Sequence, residues 1–377
     1  MYRSNRNWKA GLIAAMVAGI GVLLSLSVTQ AAEPEKSSAK IALGAAVLTP
    51  GYPYLYVAQS QGYWDQDGVK VDVLLAQGGA QVLQLLVSGQ ADVGIVAPET
   101  IVLARKEQNL PIKSIASIST IGSFSIRVAA ASPINSVSGL KGKNIGVVSL
   151  ASGIFPYLKA RLRENGIDPD KDVTILPVGF GATASTALTT GKVDALVLWR
   201  SAFAAIENSG VPLKALPASP WEANQYSLVA VATEERIKSM PETLRRVLRG
   251  MAKASDFTAA RPAAAAQIFW NAYPNTINKS VDRATAFKND LSLINAQLTD
   301  MGVSLSSSPK PPNRLWGDQT VAAWSNLEDY LVKSGQLKEK MDPGSLFVND
   351  FTKGANDYDH AAIVRAASEF KVEFDPK

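Results

Sequence analysis

The chain has 377 residues, with 38 Lys and Arg against 33 Asp and Glu, one His and no Cys. Thiolate nucleophiles and Cys/His zinc sites are thereby excluded, and a Ser-His-Asp site could use only His360. Most of the formal +5 charge sits in residues 1–31; the rest holds 35 basic and 33 acidic residues, which makes no electrostatic case for nucleic acid.

Residues 1–31 read as an export signal. Arg3, Arg6 and Lys9 form a charged start, Gly11 to Val28 an apolar stretch, and Thr29-Gln30-Ala31 a small-residue cleavage pattern. A retained membrane helix is the alternative, because the apolar stretch approaches spanning length. No Cys stands at the cleavage point to carry a lipid anchor, so a soluble protein exported to a bacterial periplasm is expected. What remains is long for one core and suggests two domains.

An internal repeat organises the next part. Gly89 and Asp92 recur as Gly191 and Asp194, and Val71 to Leu75 aligns with Val173 to Pro177 at the same offset. Pro53-Tyr54-Leu55 recurs as Pro156-Tyr157-Leu158, and Gly79 falls on Gly181. The expected strands are 41–48, 69–77 and 91–97 in one copy, matched by 144–149, 173–178 and 194–199 in the other. Strands alternating with helices over short connections imply a mostly parallel sheet covered on both faces. The repeated Gly suits a left-handed helix end, and the Asp after it suits a local pairing at the strand start.

Apolar, strand-like crossings at 127–132 and 226–232 bound the second copy. The predicted division is therefore one lobe from 32–126 plus 230–377, and another from 127–229. Beyond Thr233 the chain turns helical. Ser239-Met240-Pro241-Glu242 reads as a capping box, and Leu244, Val247, Leu248 and Met251 mark one helix face. Further helix-like segments begin near Pro262, Ser280 and Gln319, with a proline-rich turn at 309–313. Two crossings between two lobes make a hinge.

The run GYWDQDGVKVDVLLAQGGAQVLQLLVSGQADVG, with SVSGLKGKNIGV, TALTTGKVDALVLW and SLFVNDF, resembles the periplasmic substrate-binding proteins of nitrate, sulfonate, taurine and thiamine-pyrimidine ABC importers. The resemblance spans roughly 40–352 and leaves 353–377 without a role. It implies an α/β, two-lobe type II periplasmic binding protein fold, with mostly parallel sheets and the ligand cleft between the lobes. It also implies capture by hinge closure and delivery to a membrane permease driven by a separate ATPase. A monomer without cofactor, metal or nucleic-acid partner is expected. A sensory role instead of import stays open.

Catalysis is not expected. Gly191-Lys192 is followed by Val193, so there is no phosphate-binding loop of the ATPase kind, and no G-x-S-x-G elbow accompanies His360, which reads as a solvated tail residue. The Asp-rich turns at Asp65 and Asp168 lack the Glu that a calcium loop needs at its twelfth position. Two enzyme branches share or resemble the fold, pyrimidine synthases of the yeast type and sulfinate desulfinases. The resemblance gives the first a Cys-rich motif with an active-site His and the second a Cys nucleophile, and this chain lacks both sets. An enzyme on the same scaffold is the alternative from a different class.

Ligands of parallel sheets lie beyond the C-terminal strand ends, where helix starts present free N–H groups. The candidate ligand residues are accordingly Thr49 and Tyr52, Gly79, Glu99 and Thr100 in one copy. In the other they are Ser149, Ser152, Phe155, Gly181, Thr183, Trp199 and Arg200. Arg200 could fork onto a sulfonate or carboxylate and Glu99 could hold an amine, as a taurine-like zwitterion requires. A thiamine-precursor pyrimidine is the nearest alternative ligand. The structural alternatives are ordinary capping for the Ser and Thr, packing for Tyr54 and Tyr157, and pairing of Glu99 and Arg200 with each other or with surface partners, only to assist closure.

Overall fold

The computed structural model describes residues 35, 37–302 and 315–374. The export-signal reading of 1–31 and the proline-rich turn at 309–313 lie outside the described residues.

Ten strands form two five-stranded sheets among the described residues. In chain order they are β1 (Ser38–Leu43), β2 (Lys70–Leu75), β3 (Val93–Val96), β4 (Ile112–Ser119), β5 (Phe124–Ala129), β6 (Asn144–Val147), β7 (Thr174–Pro177), β8 (Ala195–Trp199), β9 (Leu213–Ala215) and β10 (Leu228–Thr233). The first sheet runs β2-β1-β3-β10-β4 and the second β7-β6-β8-β5-β9. Each has a parallel core, β2-β1-β3 or β7-β6-β8, whose inner member pairs in parallel on both sides. Beside that core lies one antiparallel strand, β10 or β5, that carries the chain between sheets. Each sheet with its covering helices forms a lobe, and the crossings run from β4 to β5 and from β9 to β10. The expected strands all form; five are trimmed by one to several residues, while β1 is displaced, starting at Ser38 and ending at Leu43 where 41–48 was expected.

The repeated Gly–Asp joint has a mechanical purpose. Gly89 and Gly191 adopt φ of 71° and 72°, the left-handed turn that ends a helix without steric cost to Gly. The backbone then re-enters the sheet through Asp92 and Asp194. Asp92 Oδ2 accepts the Lys40 N–H and Asp194 Oδ2 accepts the Asn144 N–H, both at 2.9 Å. Each Asp also donates its own N–H to the carbonyl of that partner residue. Both therefore lock the start of β3 or β8 to the start of the neighbouring strand. Asp92 is the more deeply buried and faces Arg236 Nε at 3.2 Å.

The helix Pro241–Ala260 buries the predicted face of Leu244, Val247, Leu248 and Met251. Its start is not the expected capping box: Ser239 ends the preceding helix Glu234–Ser239, and Met240 holds the cap position without a side-chain bond. The free N–H groups of Glu242 and Thr243 instead donate to the remote Glu35 carboxylate. A true capping box stands at Ser219 and Glu222. Sequence spacing alone does not distinguish these two, because the competing helix end at Ser239 decides which residue is free to cap.

His360, expected as a solvated tail residue, keeps its side chain partly in solvent but is tied into the fold. It begins the helix His360–Glu369, and its Nδ1 lies 2.6 Å from Asp256 Oδ2, which also accepts the Tyr358 hydroxyl. Phe370 packs on Phe257, and Phe374 on Trp270 and Phe287. The C-terminal segment thus completes the outer face of the first lobe.

Asp92→Ala removes a buried acceptor and strands Arg236, and should destabilise the fold by about 2–3 kcal/mol. Asp194→Ala, at the more exposed copy of the joint, should cost about 1 kcal/mol. Urea unfolding of the two variants checks the ranking.

Candidate ligand-binding site

The C-terminal ends of all six parallel strands point at one place. Beyond β1 lie Gly44 to Ala46, beyond β2 Gln77 to Gly79, and at the end of β3 Ala97; from the second lobe come Val148 and Ser149, Gly179 and Phe180, and Trp199. They enclose a cavity of about 200 Å³ between the lobes, floored by Ser119, Ser123, Phe124 and Ser227 from the two crossings. Gln297 and Asp300, from the end of the helix Arg283–Asp300, complete it.

The helices that open on the cavity do so without side-chain caps. Tyr52, Gly78, Ala97, Gly153, Gly181 and Trp199 hold the cap positions and none makes a side-chain cap bond. Elsewhere Thr233, Asp282, Thr320 and Asp359 supply that bond themselves, and Glu35 serves the helix Pro241–Ala260. A solute in the cavity would therefore meet N–H groups and the positive ends of helix dipoles.

The lobes touch around this cavity. Ser149 Oγ lies 3.5 Å from the Gln77 carbonyl. At Gly153 the approach is closest: a Cβ added there would stand 2.3 Å from the Ala97 Cβ, so only Gly permits it. Phe180 and Trp199 tilt together at 5.5 Å and give the second lobe an aromatic wall.

Of the twelve predicted ligand residues, Tyr52, Gly79, Ser149, Ser152 and Trp199 line the cavity. Thr49 instead accepts the Gly51 N–H within its turn, at 3.3 Å. Thr183 donates to the Phe180 carbonyl and faces a groove on the second lobe. Thr100 and Phe155 lie on an outer groove across the lobe seam, where Lys159 sits over the Phe155 ring. Gly181 shapes the turn whose preceding residues, Gly179 and Phe180, do the lining.

Glu99 and Arg200 neither line the cavity nor meet each other. Glu99 is 1% exposed, and the Tyr330 hydroxyl donates to its Oε1. Burial pushes its carboxyl up to about 7, against the opposing pull of Tyr330 and the backbone N–H. Arg200 turns away to Asp300, with Nε 2.7 Å from Oδ1, and donates to the Gly122 carbonyl. Asp300 is the charged residue that sequence reasoning missed. It lines the cavity, and burial pushes its carboxyl up to about 7 in spite of the Arg200 guanidinium. No Lys, Arg or His lines the cavity among the described residues. An Asp closing a helix carries no sequence signal for this position, because it reaches the cavity only through the return of the chain after the second crossing.

Two sheets of one strand order, joined by two crossings around a cleft, are the architecture of periplasmic binding proteins. The alkanesulfonate-binding protein SsuA from Xanthomonas axonopodis pv. citri, bound to MOPS, superposes with a TM-score of 0.62 at 15% identity over 84% of this chain and all of that one. The family model described as NMT1/THI5 like matches residues 50–265, and the chain belongs to that family. A Brucella abortus (strain 2308) protein named as a binding protein is 26% identical over 301 residues, 78% of this chain and 86% of that one. A 4-amino-5-hydroxymethyl-2-methylpyrimidine phosphate synthase of Aspergillus parasiticus is also 26% identical, over 68% of this chain and 80% of that one.

Removing Arg200 leaves Asp300 buried without its cation. The folded carboxyl already titrates near 7, above the ordinary 3.8, so it is mostly neutral at pH 5.5 and ionised at pH 8.5. Arg200→Ala should therefore cost about 1–2 kcal/mol at pH 8.5, a third of its side chain being in solvent, and little at pH 5.5. Thermal melts at the two pH values measure the difference.

Proposed function

We propose that this protein is the solute-binding component of an ABC-type importer, exported to the periplasm, which captures a compact organic solute by closing its two lobes. The observation that carries this reading is the cleft at the seam, where six strand ends from two lobes converge beside the two crossings. The working division remains 32–126 plus 230–377 for one lobe and 127–229 for the other. A monomer that hands its solute to a permease with a separate ATPase fits this architecture.

The cavity is smaller than the roughly 300–1,000 Å³ of sites for drug-sized ligands, which favours a compact solute. Uncapped helix starts suit an anionic or hydrogen-bond-accepting group, and Asp300 at the hinge end suits a group that donates. Phe124, Phe180 and Trp199 suit an organic body. Among small organic anions and zwitterions of the sulfonate and taurine class, these features favour one that also carries an amine. A thiamine-precursor aminopyrimidine, which offers ring acceptors and an amine, is the second reading. Capture without turnover is the reading we adopt over an enzyme, because the cavity offers neither a Cys nor a His as nucleophile or base.

A thermal-shift panel of taurine, alkyl and aryl sulfonates, nitrate, aromatic carboxylates and aminopyrimidines tests the class. A ligand at about 1,000 times its Kd adds about 4 kcal/mol of stability, a clear upward shift. An amine-bearing solute should shift the melt most, and nitrate least. Gly153→Leu, which obstructs the Ala97 contact, should weaken the winning ligand at least tenfold while the circular dichroism spectrum stays native. Stabilisation only by simple inorganic anions would reject the organic-solute reading.

A further inference from the structure

Where β3 ends, Ala97-Pro98-Glu99-Thr100 opens a helix directly against the second lobe. Glu99 is buried in that seam, and its Oε2 has no hydrogen-bond partner. The second lobe closes over that oxygen: a Cβ on Gly153 would lie 3.6 Å from Oε2 and still closer to Ala97. An ionised oxygen sealed away from donors is costly, whereas a protonated carboxyl is far less so.

The neighbouring charges do not relieve it. From the helix Val321–Lys333 comes Tyr330, bonded to the other oxygen; on that helix Glu328 accepts the Met341 N–H and Asp329 pairs with Lys340. From the helix Ile154–Glu164 comes Tyr157, which donates to Glu222, itself the partner of Arg161; Lys159 lies over Phe155, and Glu164 accepts the Ser219 hydroxyl. On its own helix, Arg105 pairs with Glu234 and Lys106 with Glu339. Among the described residues, no cation forms an ion pair with Glu99.

We propose that Glu99 couples lobe closure to proton uptake, the lobes closing over its protonated carboxyl and the proton leaving to solvent when they part. This rests on the closure reading above. In the closed seam burial holds the group near 7 instead of the ordinary 4.5, and withdrawal of the second lobe, by letting water reach it, should bring it back toward that value. The closed-to-open ratio is then highest in acid and falls up to tenfold per pH unit between those values, by roughly 300-fold in all. Above them it is flat. A receptor of this kind holds its solute more tightly in an acidic medium and gives it up more readily in a neutral one.

The chain's lack of Cys makes the test direct. Cysteines at the exposed positions Gln90 and Lys192, one per lobe, would carry spin labels, and pulsed dipolar spectroscopy would read the interlobe distance from pH 4.5 to 8.5. The native chain should shift from short to long distances as pH rises. Glu99→Gln and Glu99→Leu, either of which removes the titration, should keep the short population throughout. Gly153→Leu should give long distances at every pH. A native distribution indifferent to pH, with Gly153→Leu still lengthened, would overturn the coupling and leave closure standing. If the Glu99 variants respond to pH as the native chain does, the coupling is equally overturned. If neither pH nor Gly153→Leu moves the distance, the closure reading falls as well.

Discussion

The structure depends on the close approach of the Gly153 backbone to the Ala97 methyl group. At Gly153 the start of a second-lobe helix comes so near Ala97 that no side chain fits between them. Around that contact the parallel cores of both sheets aim their C-terminal ends at one another, so helix starts gather from both sides of a narrow gap. Antiparallel β5 and β10 follow from this arrangement, since the chain must enter and leave the second lobe at the cavity floor.

Electrostatics in the seam runs against the simplest expectation for an anion receptor. The charged group at the cavity wall is Asp300, and the nearby guanidinium of Arg200 is spent on it. Positive potential is left to helix ends such as those at Gly79 and Ile154, whose cap residues make no side-chain bond to the first N–H groups. Buried carboxyls at Asp300 and Glu99 both titrate near neutrality because desolvation outweighs their partners. The seam therefore carries protonation states that change within the range of natural media.

The repeat made the architecture legible. Gly89 with Gly191, and Asp92 with Asp194, mark the same helix–strand joint because the joint needs a left-handed residue and then an acceptor for a neighbouring strand. Tyr52, Gly79, Ser149, Ser152 and Trp199 were readable as cavity residues because they follow strand ends. Glu99 and Arg200 also follow strand ends, yet each sits past its strand on a helix turn that points elsewhere. Asp300 and Gln297 were illegible because their position depends on tertiary return of the chain, and so was the claim of Glu35 on the helix start at Glu242. Local pattern specifies which residues end strands, while long-range packing decides which of those ends see the cavity.

Small-angle X-ray scattering of the protein with and without the solute selected by thermal shift addresses the central claim most directly. The radius of gyration should fall on saturation, to the value of the closed two-lobe structure, with Gly153→Leu remaining expanded. A solute that binds one to one while the radius stays constant, and binds Gly153→Leu equally well, would contradict capture by closure.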